Sequence, residues 1–345
     1  MKKIFFLLLL FPLLMFGNMA KPWMEGSQHS ILFGGDASVK KESIVIRIVK
    51  DSLNHHYANY SIRYQIYSPQ KQTLPLLFVA IDLSEKQDIK VNNRVATIQP
   101  LDFEKKAYPF IKKNANETSI TFDGKQEFYI NENDLIYFSA DLEKGDNIIE
   151  VQYDGKMEYN TMGFVTNYKL EYSLSPSKYW KSFGPIDVTL ILNNQTEFKE
   201  SNLGNEKESG NILKWTISPQ NRENIEITVS EKISFISKVL VAIDPFGISA
   251  IALVVMFLVH IKLMKKNPKI LVLILGIILV PILFYAIFLL SYSLIDFSLE
   301  KSSTKHGYVF LYVVTYPVLL LFYGIIMWLI HKRIKTKQLT ENTEK

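Results

Sequence analysis

Apolar residues fall into three regions of this 345-residue chain: a short N-terminal run, a long stretch of alternating positions, and three long runs near the C-terminus. The first run, Ile4–Phe16, follows Lys2 and Lys3 and is broken only by Pro12. A short positive region followed by an apolar core too short to span a bilayer is typical of a signal peptide. We assign residues 1–20 to this leader, with an uncleaved anchor as the alternative.

Period-two alternation dominates the next two hundred residues. It is clearest in Ser43–Val49 and Tyr60–Tyr67, and Asp-Gly pairs at 123–124 and 154–155 lie between further alternating segments. Alternating apolar residues flanking Asp-Gly are typical of β-hairpins, because this turn requires positive φ. The pattern predicts an all-β region, an antiparallel β-sandwich or two in tandem.

The pattern of strands and loops predicted from the sequence changes near residue 155, which suggests two domains in this region. We place a first sandwich-like domain at residues 21–155 and a second β-rich domain at 156–238. The sequence leaves open whether these segments have one core or two.

Three apolar runs in the last third are long enough to cross about 30 Å of hydrocarbon. They are predicted as transmembrane helices at residues 239–264, 270–295 and 308–330, followed by a tail at 331–345. The connection after the first and the tail after the third are rich in Lys and Arg. Because basic residues mark the cytoplasmic side, the β region is predicted to lie outside and the C-terminus inside. The Lys- and Ile-rich composition is typical of bacteria, which indicates a bacterial inner or cytoplasmic membrane.

Charge is distributed in a way that argues against nucleic-acid binding. The whole chain has a formal net charge of +5, but residues 21–240 contain 26 Lys and Arg against 29 Asp and Glu, a net charge of −3. The basic excess therefore belongs to the leader and the helix ends. The absence of cysteine excludes disulfides, thiolate metal sites and cysteine nucleophiles.

No catalytic, cofactor or metal motif is recognised. His55 and His56 are adjacent on the chain and would point to opposite faces of a strand, so they do not suit a shared metal. Glu127, Glu132 and Asp134 lack the glycine and the distal glutamate of a calcium loop. The sequence thus predicts no cofactor and favours a binding protein over an enzyme.

Aromatic residues follow the strand that ends near residue 173. Tyr179, Trp180 and Phe183 lie in the loop after it and are the candidate recognition residues. The alternative is that these rings pack between sheets, as large aromatics near strand ends do.

Tyrosines recur at helical spacing in the second and third apolar runs. Facing one another, they would hydrogen-bond inside the bilayer, where lipid offers a hydroxyl no partner. This candidate packing set consists of Tyr285, Tyr292, Asp296, Tyr308, Tyr312, Tyr316 and Tyr323. The functional alternative is a proton or ion path, which would require ionisable residues at depth.

Leu174, Pro176, Trp180, Phe183 and Gly184 form the pattern Leu-x-Pro-x-x-x-Trp-x-x-Phe-Gly before a predicted strand. With this stretch the chain resembles bacterial proteins of unknown function that join an exported β domain to C-terminal helices. The resemblance implies that architecture and no activity.

The sequence therefore predicts an integral membrane protein whose exported β region binds a partner protein or an envelope polymer non-covalently. One alternative is a membrane-bound envelope enzyme acting on glycan or lipid through carboxylates from separate strands. Another is an accessory subunit of a larger membrane complex.

Overall fold

The computed structural model of the chain describes residues 29–32, 36–50, 56–80, 83–99, 111–113, 118–122, 126–130, 135–301 and 309–343. The chain forms two compact units, Met1–Lys232 and Ile233–Lys345. The first is built of strands and the second of helices. The predicted leader at 1–20, the turn at 123–124, His55, Glu132, Asp134 and Tyr308 lie outside the described residues. The predicted turn at 154–155 is wrong, because both residues lie inside the strand Gly145–Lys156, with Asp154 paired to Asn59 and Gly155 to Ala58.

Nineteen strands occur in the described part of the chain. In chain order they are β1 (His29–Leu32), β2 (Ser38–Lys50), β3 (His56–Ser68), β4 (Gln72–Ala80), β5 (Leu83–Val91), β6 (Arg94–Val95), β7 (Ile98–Gln99), β8 (Ile111–Lys113), β9 (Thr118–Phe122), β10 (Gln126–Ile130), β11 (Leu135–Leu142), β12 (Gly145–Lys156), β13 (Glu158–Asn160), β14 (Asn167–Ser173), β15 (Ile186–Ile191), β16 (Thr196–Ser201), β17 (Lys207–Ser209), β18 (Ile212–Ile217) and β19 (Asn224–Glu231). The predicted large strand-built region is confirmed.

The largest sheet among the described residues has eight strands in the order β17-β18-β15-β2-β3-β12-β5-β6. Its pairs are antiparallel except β15 and β2, which run parallel. Three smaller sheets have the orders β13-β14-β19-β16, β1-β4-β11-β7 and β10-β9-β8. The chain leaves the eight-stranded sheet after β12, close to residue 155, and returns to it at β15. Strands from either side of that residue thus share one sheet.

One hydrophobic core contains residues from three of these sheets. In β2 the residues Ile44, Ile46 and Ile48 are buried, while the residues between them are half-buried or exposed. Leu170 of β14 and Phe78 of β4 belong to the same cluster. Burying each such side chain contributes about 1.5–3 kcal/mol, so period-two alternation on several strands provides the main stabilisation of this unit.

Three long helices form the second unit: α1 (Phe235–Lys266), α2 (Ile270–Ser298) and α3 (Tyr316–Thr343). At a rise of 1.5 Å per residue they measure roughly 48, 43 and 42 Å. Each is long and apolar enough to cross a membrane. A 3-10 helix, Val309–Thr315, precedes α3.

Helix α1 is interrupted at Asp244, which has φ of 59°. Its Oδ1 accepts a hydrogen bond from the Gly247 backbone N–H at 3.0 Å, and Pro245 follows it directly. Asp at an N-cap with Pro at the first helical position is a favourable helix start. A new helical segment therefore begins at Pro245.

Candidate functional site

A polar cleft of about 390 Å³ lies beside the hairpin of β5 and β6. Residues from the segment Val91–Gln99 line one wall, and Ser139, Asp141 and Glu143 line the other. In β11 the alternate residues Phe138, Ala140 and Leu142 are buried in the core. Period-two alternation therefore turns Ser139 and Asp141 to the opposite face, toward the cleft, and Glu143 directly follows the strand.

The hairpin wall is shaped by a two-residue turn. Val91 pairs with Arg94, and the residues between them, Asn92 and Asn93, have φ of 49° and 66°. A two-residue hairpin of type I′ requires positive φ at both central positions, and asparagine tolerates this conformation better than most residues.

The buried side-chain amide of Asn147 connects the two walls of the cleft. The Asn147 side chain is 1% exposed, and its Oδ1 accepts from Asn92 Nδ2 at 2.8 Å and from the Glu143 N–H at 2.9 Å. Its Nδ2 donates to the Glu143 and Gly145 carbonyls at 2.8 and 3.0 Å. All four hydrogen-bonding positions of the amide are used. The two turns that frame the cleft are therefore held in a fixed relation.

The charged side chains of the cleft differ in whether they form hydrogen bonds or ion pairs with neighbouring residues. Asp141 Oδ1 accepts from Thr73 Oγ1 at 2.6 Å, and Glu143 Oε1 pairs with Lys71 Nζ at 2.8 Å. Arg94 is exposed, and its side chain makes no hydrogen bond or ion pair with any other described residue. Within the described part of the chain the cleft thus offers a guanidinium with no partner opposite two carboxylates, and its hairpin wall contributes no carboxylate among the described lining residues.

The predicted recognition loop is mostly packed against the core. Trp180 is 5% exposed, and its Nε1 has no hydrogen-bond partner among the described residues. Phe183 is half-buried and packs on the same core. The Tyr179 side chain lies outside the description. In this conformation Trp180 and Phe183 offer little surface to a ligand, and their role in recognition stays a prediction.

The end of this loop lies against β2. The Val39 N–H donates to the Ser182 carbonyl at 2.9 Å, and the Gly184 N–H donates to the Val39 carbonyl at 2.8 Å. A Cβ atom at Gly184 would overlap the Lys40 carbonyl. Glycine is therefore required here by the close approach of two backbones, which explains the last position of the Leu174–Gly184 pattern.

Beneath the loop, a buried carboxyl and two phenols form a hydrogen-bonded chain. Glu42 of β2 is 2% exposed, and its Oε1 accepts from Tyr172 Oη at 2.6 Å. The hydroxyl of Tyr64, on β3, lies 2.8 Å from that of Tyr172. Tyr172 belongs to the β13-β14-β19-β16 sheet and Glu42 to the eight-stranded sheet. The chain of bonds therefore crosses from one sheet to the other.

Burial dominates the acid–base behaviour of this cluster. It raises the pKa of Glu42 to about 7, against hydrogen bonds from Tyr172 and Tyr64 that lower it. Burial and the neighbouring Glu42 charge likewise hold the pKa values of Tyr64 and Tyr172 well above the usual range. Lys40 and Lys41, the nearest cations along the strand, pair instead with Asp146 and Asp187. Glu42 therefore keeps its proton to a higher pH than an exposed glutamate does.

The sequence analysis did not single out Glu42, although its burial could have been predicted. Glu42 is an even number of positions from Ile44, Ile46 and Ile48, so period two places it on the core face of its strand. The cleft had no such signal, because its walls come from segments about fifty residues apart.

The helical unit brings several of the predicted tyrosines into contact. Tyr285 Oη lies 2.5 Å from Thr315 Oγ1, and its ring contacts Tyr316 with centroids 6.1 Å apart. Phe288 contacts both Tyr292 and Tyr312, at 5.5 and 5.4 Å. Asp296 is buried at the end of α2.

Tyr323 makes its polar contact with a different helix. Its Oη lies 3.0 Å from Nδ1 of His260 in α1, and Nε2 of the same ring lies 3.2 Å from the Val272 carbonyl. Because Nε2 must donate to a carbonyl, Nδ1 accepts from the tyrosine. His260 thus links all three helices, a role that the sequence analysis did not assign to it.

No protein-family model matches the sequence, and no curated protein matches it. Among solved structures, a candidate nutrient-binding protein from Legionella pneumophila aligns over 61% of this chain and 72% of its own, with 13% identity and a TM-score of 0.46. Leukotriene A4 hydrolase from Saccharomyces cerevisiae aligns over 58% of this chain and 30% of its own, with 10% identity and a TM-score of 0.30. An M1 zinc metallopeptidase from Deinococcus radiodurans aligns over 57% and 43%, with 8% identity and a TM-score of 0.27. These likenesses assign neither a fold family nor an activity. Among the described residues, no group of three or more metal-binding side chains is found.

Proposed function

We propose that this protein is an integral membrane protein whose strand-built region binds a polar ligand non-covalently in the cleft between Val91–Gln99 and Ser139–Glu143. The ligand is a segment of a partner protein or of an envelope polymer. α1, α2 and α3 span a bacterial cytoplasmic or inner membrane, with the strand-built region outside and the C-terminus inside. The leader at residues 1–20 directs export.

We propose further that the strand-built region is a β-sandwich. The hydrogen bond between Tyr172 and Glu42 joins two different sheets, and both sheets contribute to one core. Facing sheets with a shared core are the arrangement expected of a sandwich. Such a region supplies a rigid support for the cleft.

One observation carries the proposed binding site: the Arg94 side chain has no partner among the described residues, and it lies in a cleft whose frame is held by hydrogen bonds. A guanidinium that is not engaged presents five donors to a ligand, and the Asn92–Asn147 bond spares the site the cost of ordering when it binds. Asp141 and Glu143 supply acceptors on the other wall. This combination suits a ligand that carries both donors and acceptors.

Carboxylate placement favours binding over the enzyme alternative. Glycoside hydrolysis uses two carboxyl groups that flank the scissile bond. Here both lining carboxylates, Asp141 and Glu143, lie on one wall, each engaged by a neighbour. We therefore do not propose a hydrolase.

The test compares two double variants of the tagged full-length protein in mild detergent. Arg94→Ala with Glu143→Ala changes the cleft, whereas Arg47→Ala with Glu200→Ala removes the same charges from exposed strand positions. Mass spectrometry of co-purifying proteins and glycans is the readout. We expect a component that is retained by wild type and the control and lost from the cleft variant. Equal recovery from all three would exclude the cleft as the binding site.

A further inference from the structure

Two helix ends bring four lysines together. Helix α1 ends at Lys266 and α2 begins at Ile270, so only three residues connect them. Lys262, Lys265, Lys266 and Lys269 are all exposed within this short stretch. Residues 262–269 contain no acidic residue to neutralise them.

Helix α3 adds further basic residues at the same end of the unit. It continues past Ile330 to Thr343, and Gln338 Nε2 donates to the Lys265 carbonyl at 3.3 Å. Ile330 and Ile334 pack against the cluster that contains Met264. This packing brings the C-terminal part of α3 alongside the end of α1.

The packing also decides which residues of α3 face outward. Ile334 lies on the packed side, while Lys332, Arg333 and Lys335 are exposed. With Lys262, Lys265, Lys266 and Lys269 they form what we call the basic end. Its members come from segments more than sixty residues apart and make no ion pair with another described residue.

Trp328 lies one helical turn before Lys332, where the apolar part of α3 meets the basic end. Its ring is 55% exposed, and Lys332 Nζ lies over it, 5.9 Å from the centroid. Tryptophan is enriched at the headgroup level of membranes, and lysine reaches from there toward water. The basic end therefore begins where the apolar surface of the helices stops.

From this geometry we propose that the basic end binds the headgroups of anionic phospholipids. The proposal rests on the membrane insertion proposed above. The apolar faces of the three helices continue directly into the basic end, so lipid that surrounds the helices presents its phosphates to it. Each Lys or Arg near an anionic surface adds to the attraction, and the seven such groups of the basic end act on the same leaflet. The surface is thus suited to lipid of net negative charge rather than to zwitterionic lipid.

The test uses purified full-length protein in a neutral detergent with an equal mixture of short-chain phosphatidylglycerol and phosphatidylcholine. Native mass spectrometry counts the adducts of each. We expect phosphatidylglycerol adducts to predominate and to decline as salt is raised, because exposed charges are screened. Equal adducts of the two lipids would overturn the proposal.

Two triple variants show where the preference resides. Lys332→Gln with Arg333→Gln and Lys335→Gln removes three charges from the basic end, and Lys144→Gln with Lys207→Gln and Lys214→Gln removes three from exposed positions of the strand-built unit. We expect the first to bind phosphatidylglycerol at least about tenfold more weakly and the second to match wild type. The same loss in both would overturn the proposal.

Two further arms separate the remaining explanations. Displacement of phosphatidylglycerol by an equal concentration of inorganic phosphate would mean that the surface recognises phosphate rather than lipid, and would overturn the proposal; persistence of the lipid adducts supports it. Extraction of the protein from membranes by alkaline carbonate would contradict membrane insertion itself. Retention in the membrane without a preference for phosphatidylglycerol would contradict only the lipid proposal.

Discussion

Tyr172 Oη donates a 2.6 Å hydrogen bond to Glu42 Oε1, although 130 residues separate the two in the chain. The bond joins a strand of the eight-stranded sheet to a strand of a second sheet. Because Glu42 is buried, its ionised form holds a negative charge away from water, and no cation among the described residues pairs with it. Burial raises its pKa from 4.5 to about 7, so the folded state favours the protonated acid.

Stability should therefore fall as pH rises from about 4.5 to about 7, and this group should add little further loss above that. A carboxyl whose pKa is raised on folding contributes fully below its unfolded value, here 4.5, and loses that contribution as pH passes its folded value near 7. The shift corresponds to about 3 kcal/mol. We expect Glu42→Gln, which is neutral at every pH, to gain up to about 3 kcal/mol over wild type between pH 5 and pH 8.

Urea unfolding of the full-length protein at several pH values, followed by tryptophan fluorescence, measures this difference. Trp180 and Trp215 are both buried in the strand-built unit and report on it. Glu200→Gln is the matched control, because Glu200 is exposed and its variant should follow the wild-type pH dependence. A constant difference between Glu42→Gln and wild type across this range would contradict the assigned role of burial.

Alternation along the chain predicts the strand-built region well because it is a local property. Each strand's buried face follows from period two, and even the burial of Glu42 could be read from its position beside Ile44 and Ile46. Alternation does not predict which distant segments pair with one another. The parallel pair of β15 and β2, and the meeting of Asn92 with Asn147, depend on segments that no local pattern relates.

The same distinction applies to the helices. Their apolar runs predict three elements long enough to cross a membrane, and the described residues contain three such helices. Helical spacing alone groups Tyr323 with the other tyrosines of α3. Only the packing of α1 shows that its partner is His260, since spacing within one helix does not specify a neighbour.

Removal of the Asn147 side chain should loosen the frame of the cleft. In Asn147→Ala, Asn92 Nδ2 and the Glu143 N–H lose their acceptor and two carbonyls lose their donor, and each such hydrogen bond contributes about 0.5–1.5 kcal/mol. We expect a loss of at least about 2 kcal/mol in the free energy of unfolding, with faster hydrogen exchange at residues 143–148. Asn194→Ala, at an exposed turn, should change neither quantity. Unchanged exchange in Asn147→Ala would show that the amide does not hold the turns together.

A methyl group at position 184 should disturb the loop that carries Trp180. In Gly184→Ala the new Cβ overlaps the Lys40 carbonyl, so the two backbones must separate and the hydrogen bond to Val39 lengthens or breaks. Overpacking of this kind costs about 1–3 kcal/mol. Gly163→Ala is the control, since the nearest atom to its Cβ would be the Val165 carbonyl oxygen at 4.0 Å. Thermal unfolding that is equally unaffected in both variants would refute the close approach.

Gly276 and His260 should behave as a coupled pair in the helical unit. A Cβ at Gly276 would overlap the imidazole of His260, which bonds to Tyr323 and to the Val272 carbonyl. In Gly276→Ala the ring must move and both bonds are strained. We expect a loss of about 1–3 kcal/mol, because an overlap is added to weak interhelical hydrogen bonds.

A double-mutant cycle separates this effect from a general intolerance of α2 to alanine. His260→Ala creates the space that a methyl group at position 276 needs, so Gly276→Ala should cost little in that background, and the coupling energy should exceed about 1 kcal/mol. Gly324→Ala is the matched control, because its Cβ would meet Ile277 at an ordinary 3.4 Å. Unfolding of the detergent-solubilised protein by sodium dodecyl sulfate supplies the free energies. Additive costs for the two substitutions would mean that Gly276 does not accommodate His260.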